Sequence, residues 1–381
     1  MALRILHVVR QFWPSTGGME QFVLGLCREL NKAGHQNEVL TLNRLFSDPQ
    51  KNLLASEELS LPWGTIRIHR ISAPGFTSIF LPRLGSFDFS VFDVIHYHCV
   101  DAFLPFLLQK IGDKPLVITT HGGWFHTQRL MFVKKLIFIG LLPRFLKRAQ
   151  KIAACSVSDY LRFSPLFPQT VLLPNGIDWQ DFQNQRQDIN PFCLIHVAAN
   201  RPSKRIDLLL SRFLELHQKY PQTKLHLIGS GPWPGHISQD LISQPGLILH
   251  HEVPHEQLKA LFLQAGIVVS ASEYEGFGLA VAEAMASGCI PILQSNQAYQ
   301  SFVLDVPGKG LSGRLTDYSV PNSLLTAFDE LLAQPDLLST SHLCRNLTQI
   351  YDWEKVGQSY SDLYSEALLE MSMPKSTISL P

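Results

Sequence analysis

Cysteine is scarce in this sequence: 381 residues contain six, widely scattered and without a CxxC pair. A disulfide framework or a thiolate metal site needs cysteines at close, regular spacing, so the sequence favours buried reduced thiols. Long apolar runs are also lacking, since nothing approaches the ~20 apolar residues of a bilayer-spanning helix. We therefore expect a cytoplasmic protein.

The chain also lacks net charge, because 32 lysines and arginines balance 32 aspartates and glutamates. A protein that coats nucleic acid carries a large positive charge, so no nucleic-acid partner is expected. No Asp-x-Asp pair, a common carboxylate clamp for a metal, occurs in the chain. What is present is 45 % apolar residues, which is enough for two ordinary hydrophobic cores.

Short β-rich apolar runs alternate with helical patterns, which is typical of parallel sheets covered by helices. Strands are predicted at 5–9, 38–42, 94–97, 116–120 and 152–156, and again at 193–198, 224–228, 247–250, 267–270 and 290–293. The sequence therefore predicts an α/β protein of two Rossmann-like domains. The predicted boundaries are an N-terminal domain over 1–180, a linker over 181–192, a C-terminal domain over 193–352, and a helix over 353–371 that packs back on the N-terminal domain.

The strongest pattern is a glycine-rich loop at residues 272–279, which follows a predicted strand and opens a helix. Open α/β sheets bind ligands at the carboxyl ends of their strands. Gly278 lets the backbone approach a ligand, and the amides of Gly278 and Leu279 at the positive helix end suit a phosphate. Glu275 and Glu283 supply carboxylates for the hydroxyls of a sugar and of a ribose. The alternative is an ordinary glycine turn with solvated acids.

A basic loop at residues 199–205 follows the first strand of the second domain. A nucleoside diphosphate gains negative charge as it leaves a sugar, and fixed cations such as Arg201 and Lys204 stabilise that charge without a metal. Each hydrogen bond to a charged group contributes ~1.5–3 kcal/mol. The alternative, a solvated basic loop, is weakened by the Glu275 loop expected opposite.

Two loops of the first domain carry glycines after a strand. Gly17 and Gly18 lead into a helix, where they offer amides to a phosphate or a sugar or form an ordinary tight turn. His121 stands at a strand tip before Gly122 and Gly123. There it either hydrogen-bonds the transferred sugar or serves as a structural histidine.

Two further strand ends of the second domain are candidates for nucleotide contacts. Gly231 follows the strand over 224–228, and Glu252 follows His250 and His251 at the end of the next strand. Adjacent histidines can bind zinc, but no third ligand stands at a useful spacing. The sequence therefore predicts neither a metal nor a cofactor.

Together these motifs resemble glycosyltransferase family 4, whose members are retaining enzymes with the GT-B fold. Glu275 and Glu283 are similar to the family's paired glutamates, and Arg201 and Lys204 to its diphosphate-binding cations. The resemblance implies two Rossmann-like domains with parallel sheets facing across a cleft. It also implies catalytic roles for His121, Arg201, Lys204 and Glu275 and donor contacts at Gly17, Gly18, Gly231, Glu252, Phe277, Gly278, Leu279 and Glu283.

Within that family the chain is similar to the GDP-mannose-dependent α-1,3-mannosyltransferases of xanthan-type polysaccharide assembly. Residues 7–20, 120–127, 291–293 and 351–353 carry this likeness. It implies transfer of mannose from GDP-mannose to a cellobiosyl-diphospho-polyprenol. A UDP-sugar-dependent transferase of the same family, a nucleotide-sugar epimerase and a non-catalytic binding module stay open. Arg205 departs from the family, because many relatives have glycine there.

A basic apolar segment over residues 129–148 predicts contact with the acceptor or with a membrane surface. Arg129, Lys134 and Lys135 are among its six cations. Basic amphipathic segments bind anionic lipid surfaces, so we expect peripheral contact with the inner face of the cell membrane. The alternative is a helix that covers the first-domain sheet while its lysines reach solvent.

Overall fold

The computed structural model of the chain describes residues 2–15, 17–46, 48, 51, 53–75, 80–101, 103–122, 140, 142–182, 186–231 and 243–372. The chain divides into two compact units. The first is Met1–Gly176 together with Trp353–Pro381, and the second is Ile177–Asp352. Each unit has its own sheet and its own buried apolar clusters.

The first unit contains an eight-stranded sheet in the order β3-β4-β2-β1-β5-β6-β7-β8. Every neighbouring pair is parallel except β3 with β4. Two apolar clusters sandwich the central strands, which explains why those strands are almost wholly buried. The strands are β1 Arg4–Val8, β2 Gln36–Leu42, β3 Ser56–Leu61, β4 Gly64–Ile71, β5 Val94–His98, β6 Leu116–Thr119, β7 Lys151–Ala154 and β8 Thr170–Leu172.

The hairpin of β3 and β4 lies outside the predicted strands. Residues of β3 alternate between exposed and half-buried positions, and β3 is the edge strand of the sheet. It therefore lacks the apolar run by which the buried strands are recognised, because an edge strand is stabilised by pairing along one side only.

The second unit contains a six-stranded parallel sheet in the order β11-β10-β9-β12-β13-β16, and a two-stranded antiparallel ribbon of β14 and β15. One apolar cluster surrounds the sheet. The strands are β9 Cys193–Ala199, β10 Lys224–Ser230, β11 Leu247–His251, β12 Ile267–Ser270, β13 Ile290–Gln294, β14 Asp305–Val306, β15 Gly310–Leu311 and β16 Arg314–Thr316.

Helices connect most of the parallel strands in both units. In chain order, those of the described part are α1 Gly18–Lys32, α2 Leu104–Leu108, α3 Leu142–Leu146, α4 Val157–Phe163, α5 Ile206–Lys219, α6 His255–Gln264, α7 Leu279–Ala286, α8 Ser323–Leu332, α9 Leu337–Thr348 and α10 Trp353–Ser372. None of them combines the length and the apolarity that a bilayer-spanning segment needs.

The last helix, α10, belongs to the first unit and packs against α1. The Trp353 ring lies where a Cβ atom on Gly25 or Gly176 would come within 2.3 Å of it. Two glycines therefore make the room that this indole occupies. Further along the helix, Tyr364 reaches the centre of the sheet, where its hydroxyl lies 2.7 Å from His96 Nδ1.

The boundary between the units differs from the predicted linker over 181–192, because the second unit begins at Ile177. Trp179 and Phe182 are buried in its core. Arg186 donates to the backbone carbonyls of Ala265 and Ser287, which follow the ends of α6 and α7. Helix ends leave carbonyls without partners, and this guanidinium satisfies them. Arg186, which lies within the predicted linker, is thus anchored to the second unit.

Candidate functional site

Lys204 and Glu275 meet at the carboxyl edge of the second unit's sheet. Lys204 ends a 3₁₀ turn after β9, and Glu275 lies in the loop after β12. These two strands are parallel neighbours, so the loops that follow them emerge side by side. Lys204 Nζ donates to Glu275 Oε1 at 2.6 Å, and the two side chains are 17 % and 14 % exposed. The pair is therefore ordered and still open to a ligand.

The phenol of Tyr299 is a second donor to the Glu275 carboxylate. Its oxygen lies 3.0 Å from Glu275 Oε1 and 2.8 Å from Ser270 Oγ. Burial raises the pKa of Tyr299 well above its usual range, and the negative charge of Glu275 raises it further. The phenol therefore stays protonated and fixes the carboxylate. Sequence reasoning missed Tyr299 because no motif surrounds it.

The two arginines of the basic loop are in different situations. Arg201 is exposed, and no residue of the described part forms an ion pair or hydrogen bond with its guanidinium. Arg205 has φ +46° and pairs with Asp207 and Glu273, which together hold the pKa of its guanidinium above the usual range. A positive φ is the conformation that favours glycine. Arg205 is therefore engaged by two carboxylates, whereas Arg201 has no partner among the described residues and Lys204 contacts the single carboxylate of Glu275.

The start of α7 offers free amides beside the Lys204–Glu275 pair. Gly278 precedes the helix with φ +106°. The amides of Val281 and Ala282 both donate to the Gly278 carbonyl at 3.0 Å. The first-turn amides before them, including that of Leu279, have no acceptor inside the helix. Such an end carries partial positive charge and binds anions.

Aromatic rings pack behind this loop and limit which side chains could replace Gly278. A Cβ atom on Gly278 would lie 3.1 Å from the ring of Tyr299 and 3.2 Å from that of Phe302. The side chain of Phe277 is 6 % exposed and packs edge-on against Phe302 and Tyr351. Phe277, predicted as a donor contact, therefore supports the loop from the core and does not present its ring to a ligand.

Glu283 is the fifth residue of α7, a little over one turn after Gly278. Burial raises the pKa of its carboxyl to about 7, and the nearby carboxylate of Asp178 adds to this rise. Among the described residues no donor hydrogen-bonds the carboxyl oxygens of Glu283. A partly buried carboxyl without a protein donor is suited to accept hydrogen bonds from a diol.

The mutation Glu283→Gln is expected to change stability in a pH-dependent way. The folded pKa near 7 lies above the unfolded value of 4.5, so the wild-type chain loses stability as pH rises through this range. The amide cannot ionise. At pH 8 the variant is therefore expected to be about 1–3 kcal/mol more stable than the wild type, and close to it at pH 5. Urea unfolding at the two pH values measures this.

Glu256→Gln is the matched control for that measurement, since Glu256 is an exposed carboxylate of the same unit paired with Lys259. Its unfolding free energy should follow that of the wild type at both pH values. Equal wild-type and Glu283→Gln stabilities at pH 8 would contradict the desolvation of Glu283.

Gly231 and Glu252 follow β10 and β11 at the same edge. Gly231 has φ +80°, and its carbonyl accepts from Asn200 Nδ2 at 2.8 Å. Glu252 is exposed, with φ +52°, and its amide donates to the Gly229 carbonyl at 3.2 Å. A Cβ atom on Gly229 would collide with the Asn200 side chain at 2.3 Å. Adjacent strand ends are thus tied together around Asn200.

In the first unit, Gly17 and Gly18 form the start of α1. A Cβ atom on Gly18 would meet open space, whereas one on Gly17 would lie 2.5 Å from Glu20 Oε2. Ser15 Oγ donates to the other oxygen of Glu20 at 2.8 Å. The helix start therefore already holds a carboxylate, which complements its positive end. This favours a sugar over a phosphate at the loop.

His121 is the second residue after β6 and has φ +49°. Its Nε2 lies 3.2 Å from His98 Nδ1, and its ring meets the edge of Phe22 at 4.7 Å between centroids. These packed surroundings desolvate the charged form and lower the pKa of the His121 imidazole to about 3. His121 is therefore neutral at physiological pH.

Three more histidines lie behind His121, and sequence reasoning missed them. The ligand atoms of His7, His96 and His98 all lie within 4.8 Å of one another, which is a donor set for a metal. Each ring is fully buried, and burial lowers the pKa of all three. Their nitrogens are already engaged in hydrogen bonds, and a buried dication would have no carboxylate in the cluster to balance it. The pairing of β1 with β5, invisible in the sequence, brings them together.

The predicted acceptor and membrane residues Arg129, Lys134 and Lys135 lie outside the described residues, as does Gly123. The structure does bring together Lys204, Glu275 and the start of α7 in one unit, and it places Gly17, Gly18 and His121 in the other.

Comparison with known proteins gives two matching family profiles. "Glycosyltransferase Family 4" matches residues 16–180, and "Glycosyl transferases group 1" matches residues 178–346. A GDP-mannose:cellobiosyl-diphosphopolyprenol alpha-mannosyltransferase of Xanthomonas oryzae pv. oryzae is 29 % identical over 96 % of this chain and 97 % of its own. A phosphatidyl-myo-inositol mannosyltransferase of Mycolicibacterium smegmatis is 24 % identical over 95 % of this chain and 93 % of its own.

Among solved structures, sucrose-phosphate synthase from Thermosynechococcus elongatus has a similar fold. Its TM-score is 0.71 at 20 % identity, and the match covers 97 % of this chain and 100 % of that one. At this identity the likeness concerns the fold alone, and it confirms the predicted α/β architecture.

Proposed function

The chain belongs to glycosyltransferase family 4, and from this premise we propose that it transfers mannose from GDP-mannose to a polyprenyl-diphosphate-linked oligosaccharide, with retention of configuration. Its two Rossmann-like units have the GT-B fold, as predicted. The observation that carries the proposal is the contact of Lys204 with Glu275 beside the open start of α7. It combines a cation, a carboxylate and free amides, which a sugar diphosphate requires.

In this proposal, different residues of the second unit bind different parts of the donor. Arg201, Lys204 and the first-turn amides of α7 hold the diphosphate. Glu275 orients the mannose, and Glu283 accepts from the ribose hydroxyls. Gly231 and Glu252 border the nucleotide. Supporting this division, Lys204 and Glu275 are tied to each other, while Arg201 is exposed at the same edge.

The loops of the first unit would serve the sugar and the acceptor. Gly17 and Gly18 lie at a helix start that already contains the carboxylate of Glu20. They therefore suit neutral hydroxyls better than a second anion. His121 is neutral and can hydrogen-bond the transferred sugar near its C6 hydroxyl.

The reaction proceeds on one face of the sugar through an oxocarbenium-like transition state. The bond from C1 to the diphosphate breaks, the acceptor oxygen attacks from the same face, and the leaving phosphate oxygen takes the acceptor's proton. Arg201, Lys204 and the helix amides stabilise the charge that develops on the leaving group, so no metal is required. This route does not require a covalent enzyme intermediate.

Because the proposed acceptor is linked to a lipid, sugar transfer would take place at a membrane surface. The Xanthomonas relative is named for a polyprenol-linked acceptor, and the Mycolicibacterium relative for a phosphatidylinositol. We propose peripheral contact with the inner face of the cell membrane, a role in polysaccharide biosynthesis, and residues such as Arg129, Lys134 and Lys135 as the contact.

Incubation of the full chain with radiolabelled GDP-mannose, UDP-glucose, UDP-galactose or UDP-N-acetylglucosamine and a cellobiosyl-diphospho-polyprenol acceptor tests the proposal. We expect label in the lipid phase with GDP-mannose, unchanged by a chelator. Label from a UDP-sugar instead would overturn the donor assignment. A converted free sugar nucleotide would indicate an epimerase, and binding without turnover a non-catalytic module.

A further inference from the structure

A continuous chain of hydrogen bonds crosses the core of the first unit and ends at His121. His121 Nε2 lies 3.2 Å from His98 Nδ1, and His98 Nε2 lies 3.0 Å from His7 Nδ1. His7 Nε2 lies 3.0 Å from Asn37 Oδ1, and Asn37 Nδ2 donates to Asn31 Oδ1 at 2.7 Å. We call these five residues the histidine chain.

The sheet order explains this line of contacts. Asn37 belongs to β2, His7 to β1 and His98 to β5, and His121 follows β6. These are four successive strands in the sheet. The two rings behind His121 in this chain, those of His7 and His98, are like Asn37 at most 5 % exposed, so water does not compete for their hydrogen bonds.

Asn37 sets the direction of every bond in the chain. Its Nδ2 donates to Asn31, so its Oδ1 must accept from His7 Nε2–H. A neutral imidazole has one donor and one acceptor nitrogen. His7 Nδ1 is then an acceptor, which makes His98 Nε2 a donor. His98 Nδ1 is in turn an acceptor, so His121 donates from Nε2.

One nitrogen, Nδ1 of His121, is left at the end of the histidine chain. It is bare, and within the described residues no donor reaches it. A proton cannot run through the chain to the surface, because the amide of Asn37 does not release one. The arrangement therefore orients His121 and does not conduct protons.

We propose that Asn37, His7 and His98 are positioning residues that hold His121 in the tautomer with a bare Nδ1, so that His121 accepts a hydrogen bond from a sugar hydroxyl and cannot donate one. This rests on the proposed function, in which His121 meets the transferred sugar. The substrate class follows from it. A free hydroxyl is favoured at this position, a deoxy sugar loses one hydrogen bond, and a uronic acid carboxylate is rejected because two acceptors would face each other.

The tautomers can be read directly by long-range ¹H–¹⁵N correlation spectra of the ¹⁵N-histidine-labelled full chain without substrate. We expect His7, His98 and His121 each to carry a proton on Nε2 and none on Nδ1. Protonation of Nδ1 on any of them, or rapid exchange between tautomers, would overturn the inference.

Addition of stoichiometric Zn²⁺ is a second test. The histidine signals should stay in place, whereas coordination of zinc at His7 Nδ1 and His98 Nε2 would break the histidine chain and refute the inference. The result does not depend on turnover, so it stands apart from the test of the proposed function.

Asn37→Leu removes the acceptor that directs the chain. We expect mixed tautomers at His121, and a KM for the donor about 3- to 10-fold higher with kcat little changed, because one hydrogen bond is weakened equally in the ground state and the transition state. Tyr364→Phe is the matched control. It removes a buried hydrogen bond to His96, which is not part of the chain, and should alter neither tautomers nor KM. An equal rise of KM in both variants would show general loosening of the core and contradict the inference. If Asn37→Leu does not fold, the wild-type spectrum still decides.

Discussion

Lys204→Ala is expected to lower kcat/KM for sugar transfer about 100- to 1000-fold, which is typical for the loss of one fixed group that stabilises developing charge. The ammonium ion lies 2.6 Å from Glu275 and beside the start of α7, so its charge is held in place before the donor binds. The diphosphate becomes more negative as the bond to C1 breaks, so most of the effect should appear in kcat. Steady-state kinetics with GDP-mannose measure it.

The chain offers a matched lysine for this experiment. Lys219 Nζ lies 2.7 Å from Asp329 Oδ2 in the same unit, at the far end of α5, and both partners are well exposed. An exposed ion pair contributes ~0–1 kcal/mol, so Lys219→Ala should keep nearly wild-type kinetics. Lys204→Ala with wild-type rates, or both variants equally slow, would remove Lys204 from the site.

That the loops of Lys204 and Glu275 lie near each other was expected from the sequence, whereas the direct contact of the two side chains was not. Both residues follow predicted strands, and ligands of α/β proteins bind where such strands end. The sequence does not state which strands are neighbours. In the structure β9 pairs with β12, and this adjacency is what turns two loops 71 residues apart into one site.

Residues that lie outside any local sequence motif could not be predicted as members of the site. Tyr299 orders Glu275 from a 3₁₀ turn 24 residues later, and no spacing rule predicts such a contact. His7, His96 and His98 lie on two strands that pair only in the folded chain. Polarity in a sequence also does not distinguish a solvated arginine from one that binds backbone carbonyls, as Arg186 does within the predicted linker.

Glu275→Gln is expected to lower kcat about 100-fold or more, with a smaller change in KM. The amide is almost the same size and still accepts hydrogen bonds from Lys204 and Tyr299, so the fold should survive. What it lacks is the negative charge. The sugar acquires positive charge only as the transition state forms, and a neutral group cannot stabilise that charge.

Glu273→Gln is the comparison that isolates the role of charge at this position. Glu273 lies two residues earlier in the same loop, but its carboxylate is 53 % exposed and pairs with Arg205. Losing it should change kcat less than about threefold, since exposed ion pairs contribute little. A large loss in both variants would indicate that the loop is sensitive to any substitution. A large loss in Glu275→Gln alone, with unchanged unfolding by urea, would assign the carboxylate to the reacting sugar, because the two variants differ in position and not in chemistry.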